Sequence, residues 1–118
     1  MSIFLPDIIK NGEDILFDVK CSQALEDMIN HYGGNPIMCK TVHSLIKQKM
    51  PAVGCNFGGE MSGHIFFADD YYGYDDAIYV AARAVQMLSR SDKTLSEMLA
   101  EDGTRLNSSH VVISYAVF

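Results

Sequence analysis

Gly58-Gly59-Glu60-Met61-Ser62-Gly63-His64, set between the apolar runs Val53 to Phe57 and Ile65 to Phe67, decides how this chain is read. The pattern is that of a strand, a tight polar loop and a returning strand. Glycine lets a backbone turn sharply and lets a ligand come close, so Gly58, Gly59 and Gly63 suit a binding loop. If the loop stays extended, Glu60, Ser62 and His64 share one side. A carboxylate and a hydroxyl together offer what a polyol requires, since each can hydrogen-bond a sugar hydroxyl. The alternative is a hairpin turn whose polar groups only satisfy its own backbone.

Upstream of this loop the chain alternates strands and helices. Phe4 to Lys10 predicts a short helix with Pro6 in its first turn, ended by Asn11-Gly12. Ile15 to Val19 predicts a strand buried on both faces. Ser22 is placed to cap a helix carrying Leu25, Met28, Ile29 and Tyr32, which Gly33-Gly34 stops. Pro36 to Cys39 predicts a second strand, and Ser44 a cap for a helix through Leu45, Ile46 and Met50 that Pro51 closes. Downstream, Asp75-Asp76 open a helix with Ile78, Ala81, Ala82, Val85 and Leu88 on one face. Thr94 to Glu97 form a capping box for a last short helix through Leu95, Met98 and Leu99. The expected fold is α/β: a three-layer α/β/α domain around a four-stranded mixed, mostly parallel sheet, with one antiparallel hairpin strand.

At 118 residues the chain is one domain with room for a real core. The net charge of −6 argues against a nucleic-acid surface. No apolar run approaches the roughly 20 residues that span a bilayer, and no signal-peptide pattern opens the chain. Three cysteines without metal-type spacing favour free thiols in a reducing compartment, so a cytoplasmic location is expected.

Lys20 follows the first strand, His43 the second, and the Glu60/Ser62/His64 loop the third. Ligands of open α/β sheets bind beyond the carboxyl ends of the parallel strands, so these residues converge on one edge. Each also has a plainer role: Lys20 as a solvated cation, His43 as a helix-start residue, His64 as a strand-end histidine. Asp69-Asp70 and Asp75-Asp76 read as turn and helix-start residues, because the histidines lack the i, i+4 pairing of a helical zinc site. Cys21 beside Lys20 has the setting for some thiolate character.

Four segments carry a resemblance: Asp18-Val19-Lys20-Cys21-Ser22, Lys40 to Lys47, Gly59 to His64, and Tyr72-Gly73-Tyr74-Asp75-Asp76. In order and spacing they resemble the third domain of the α-D-phosphohexomutases, the phosphomannomutase/phosphoglucomutase enzymes, over roughly Phe4 to Ala100. That resemblance implies a sugar-binding domain over residues 1–100 and leaves 101–118 as an unmatched tail. It implies an enzyme of four domains that interconverts hexose 1- and 6-phosphates through a bisphosphorylated sugar. Glu60 and Ser62 would bind sugar hydroxyls, and Lys20 and His43 would contact the substrate or polarise its reacting oxygen. His64 would stand near the transferring phosphoryl group as an electrostatic or acid–base residue.

The chain departs from the family in two respects. Val42 stands where a glycine is usual, which bears on how His43 is placed. The phosphoserine, the magnesium loop and the phosphate-binding loop belong to other domains of the family enzyme. The chain alone is therefore expected to be inactive, with no cofactor of its own, and Mg2+ is expected only in the full-length enzyme. Expected partners are a hexose phosphate, separate chains bearing the other domains, and a second copy paired through the strand-forming run Val111 to Phe118. A folded remnant or binding module without turnover remains the alternative, and a small metallohydrolase using His43, Glu60 and His64 has less support.

Overall fold

The sheet grows outward from β1 (Asp14–Asp18), whose Ile15, Leu16 and Phe17 are almost wholly removed from solvent. The computed structural model of the chain describes residues 1–21, 23–39 and 43–105. β2 (Asn35–Cys39) pairs with β1 in parallel, Leu16 opposite Ile37. On its other side β1 pairs in parallel with β3 (Phe57–Gly59), which pairs antiparallel with β4 (Ile65–Phe67). The order is β2-β1-β3-β4, the mixed, mostly parallel sheet expected from the alternating pattern.

Successive strand residues point to opposite faces, and here they serve two cores. Ile15, Phe17, Phe57 and Phe67 pack with α1 (Leu5–Ile8), α2 (Gln23–His31) and α4 (Ala77–Ser89). Leu16 and Phe66 pack on the other face with Ile46 and Met50 of α3 (His43–Val53). The result is the α/β/α layering. α5 (Leu95–Arg105) follows α4 and packs through Met98 onto the first core. Among the described residues no helix is long and apolar enough to cross a membrane.

Several boundaries differ from expectation for physical reasons. Pro51 lies inside α3 rather than ending it, and the helix closes where Gly54, at φ +69, lets the Cys55 amide reach the Met50 carbonyl at 2.8 Å. Val53 therefore ends a helix and does not begin a strand. Gly58 and Gly59 are buried strand residues, not loop residues. A Cβ on Gly59 would stand 2.6 Å from the Met1 sulfur, and one on Gly58 would stand 3.1 Å from the Leu16 carbonyl. Close packing calls for them.

The apolar face expected on α4 is not the one turned to the sheet. Ile78 is 85% exposed and Val85 66%, while Tyr79, Val80, Ala84 and Met87 face the core. Arg83 joins them. Its guanidinium lies 4.4 Å from the Phe67 ring centre and bonds both Asp69 oxygens at 2.7 and 2.8 Å. The cap at Ser22, the residue Val42 and the run Val111 to Phe118 lie outside the described residues.

Candidate functional site

The carboxyl ends of β1 and β3 come together through one buried carboxylate. Asp18, the last residue of β1, is 5% exposed. Its Oδ1 accepts the amides of Lys20 at 3.1 Å and Cys21 at 3.0 Å, and its Oδ2 accepts that of Met61 at 3.4 Å. A carboxylate that accepts several amides fixes the turn that supplies them. The loop carrying Lys20 is thus held against the tip of the hairpin. The neighbouring β2 end is tied in by the Val19 amide, which donates to the Cys39 carbonyl at 3.0 Å.

The hairpin itself is not extended. The Gly63 amide donates to the Glu60 carbonyl at 3.0 Å, and the Glu60 amide to the His64 carbonyl at 2.9 Å. Gly63 sits at φ +96, where a side chain would be strained. The alternation expected of an extended loop is therefore replaced by a tight turn, which still gathers its polar groups. Glu60 is buried, and Ser62 Oγ donates to its Oε2 at 3.1 Å. The turn thus gathers a carboxylate and a hydroxyl side by side, group types that a polyol can hydrogen-bond.

Lys20 is exposed on the loop that Asp18 pins. His64 closes the hairpin, and its Nδ1 lies 2.8 Å from Asp75 Oδ2. His43 is the first residue of α3; its side chain lies outside the described atoms. Glu60, Ser62, His64 and the Lys20 loop are thus brought to one edge. Asp18 and Asp75 were not singled out as site residues from the sequence. A lone aspartate ending an apolar strand was the available signal for Asp18.

The surroundings of Cys21 disfavour its thiolate form. Burial pushes its thiol up, and the hydrogen bond and charge of Asp18 push it further, to about 12. Three of the four paired aspartates have local tasks: Asp69 binds Arg83, Asp75 meets His64, and Asp76 caps α4 by accepting the Tyr79 amide at 3.1 Å. Among the described residues no three His, Cys, Asp or Glu side chains gather to hold a metal ion. The magnesium implied for the whole enzyme has no donor set in them.

Known proteins share this fold. The family model for phosphoglucomutase/phosphomannomutase, alpha/beta/alpha domain III, matches residues 1–106. A phosphomannomutase/phosphoglucomutase of Pseudomonas aeruginosa is 47% identical over 95 residues, 79% of this chain and 20% of its own length. A phosphoglucomutase of Neisseria meningitidis is 43% identical over 101 residues, covering 84% of this chain and 22% of that protein. The crystal structure of a phosphoglucomutase/phosphomannomutase family protein from Burkholderia thailandensis superposes with a TM-score of 0.76 at 38% identity, over 82% of this chain and 22% of that one. The chain spans about a fifth of the length of these relatives.

Proposed function

The chain belongs to the phosphoglucomutase/phosphomannomutase family through its α/β/α domain III, and we propose that it supplies the loop by which such an enzyme holds the hydroxyls of a hexose phosphate. The observation that carries this reading is the Glu60–Ser62 pair, joined at 3.1 Å at the tip of a hairpin that Asp18 holds against the Lys20 loop. Glu60 accepts hydrogen bonds from ring hydroxyls, and Ser62 both gives and accepts them. Lys20 and His43 supply positive charge or polarise the reacting oxygen, and His64 serves the transferring phosphoryl group. Phosphoryl transfer depends mostly on positioning and charge stabilisation. The phosphoryl donor and the metal come from other domains of such an enzyme, on the same polypeptide or on separate chains. By itself this chain binds without turnover.

Titration of the 15N-labelled chain with mannose 1-phosphate or glucose 1-phosphate tests the reading. Each neutral hydrogen bond nets about 1 kcal/mol, so binding is expected in the millimolar range or weaker, about −4 kcal/mol or less in magnitude. The amides from Gly58 to His64 should move first. A silent hairpin at saturating sugar phosphate would overturn the assignment.

A further inference from the structure

We propose that Asp75 is the positioning residue for His64, fixing the imidazole as its Nδ1–H tautomer so that proton exchange with a ligand runs through Nε2. Its chemical meaning rests on the sugar-phosphate reading above; its geometry does not. Asp75 Oδ2 lies 2.8 Å from His64 Nδ1, and at that distance a carboxylate can only accept. The ring nitrogen that carries the proton is set by the hydrogen bond the other one makes.

Both partners are held by backbone. Asp75 forms an antiparallel bridge with Phe66, two residues beyond His64. The next residue, Asp76, is extended at φ −136 and turns its carboxylate the opposite way, to cap α4 and accept the Tyr71 hydroxyl at 2.6 Å. Extended backbone alternates its side chains, so two consecutive aspartates take separate tasks. On the other side, the His64 carbonyl accepts the Glu60 amide at 2.9 Å. The histidine is thereby tethered by its main chain to the residue that carries the binding carboxylate and by its ring to Asp75. His64 and Asp75 side chains are 39% and 43% exposed. Such a pair adds little to stability, so its effect lies in orientation and tautomer.

Long-range 1H–15N correlation on the full chain, at a pH where the imidazole is neutral, reads the tautomer of His64 without any variant. Wild type should show a protonated Nδ1 and a deprotonated Nε2. Asp75→Ala should lose this signature in favour of Nε2–H, while Asp75→Asn, which keeps an acceptor oxygen, should retain more of it. Amide spectra of the β-sheet confirm that each variant is folded. A wild-type His64 already in the Nε2–H form, or a tautomer unchanged in folded Asp75→Ala, would overturn the proposal. The sugar-phosphate titration stands apart: it can fail while the tautomer result holds, and the reverse.

Discussion

Asp18 Oδ2 accepts the Met61 amide at 3.4 Å, joining the end of β1 to the tip of a hairpin 43 residues later. With Oδ1 taking the Lys20 and Cys21 amides, one buried carboxylate organises two loops. Asp18→Ala should cost about 1–3 kcal/mol, the range for leaving buried donors unmet. Urea unfolding measures the cost, and hydrogen exchange should rise at Lys20, Cys21 and Met61 together. Faster exchange in the Lys20 turn with Met61 unchanged would mean that the loops are not coupled.

Arg83 and Asp69 make stability depend on pH in a defined direction. Burial pushes the Asp69 carboxyl up, but the hydrogen bond and charge of Arg83 outweigh it and hold the group below the usual carboxylate range. A carboxyl with a depressed folded value stabilises the fold above its unfolded value, about 3.9. That contribution disappears as pH falls through the folded value. Asp69→Asn should therefore be less stable than the parent at pH 7, with the gap closing as the pH falls below the unfolded carboxylate range and through the lower folded value. A gap independent of pH would exclude the ionic contribution.

The two faces of α4 should respond oppositely to substitution. Met87 is 8% exposed within the core and Ile78 85% exposed. Met87→Ala should cost about 2–5 kcal/mol, while Ile78→Ser should stay within about 0.5 kcal/mol. Denaturant midpoints decide it, and the reverse order would restore the face read from hydrophobicity.

Cys21 should be slow with thiol reagents although it is only half-buried. A value near 12 against an ordinary 9.0 leaves thiolate scarce, on the order of 10²–10³-fold less than in a free thiol. Reaction with a disulfide reagent at pH 8 should be correspondingly slow in the native chain and fast in urea. Rapid native labelling of Cys21 would contradict the Asp18 contact.

What could be read from the sequence was local. Thr94 and Glu97 do form their capping box, with the Glu97 amide on Thr94 Oγ1 at 3.2 Å, and the strands around Phe17 and Phe66 follow from short apolar runs. What escaped the reading depended on contacts between distant segments. Gly58 and Gly59 are small because Met50, Leu16 and Met1 crowd them, which no local pattern announces. Arg83 turns to the core side of α4 because Phe67 and Asp69, from a distant segment, give its guanidinium a ring to cover and a carboxylate to bind. Asp75 and Asp76 are neighbours in an acidic pair, and only the bridge to Phe66 sends one of them to His64.

Binding at the hairpin is the claim on which the functional account stands, and it can be measured against its simplest rival, recognition of phosphate alone. Hexose phosphate and inorganic phosphate should each be titrated into the 15N-labelled chain and into its Glu60→Gln variant. The account predicts that the sugar phosphate moves the Glu60 to His64 amides and that inorganic phosphate leaves Glu60 and Ser62 in place. It also predicts that Glu60→Gln weakens sugar-phosphate binding about fivefold or more, as losing a hydrogen bond worth about 1 kcal/mol or more implies. Equal shifts with inorganic phosphate, or unchanged affinity in a folded Glu60→Gln chain, would contradict it.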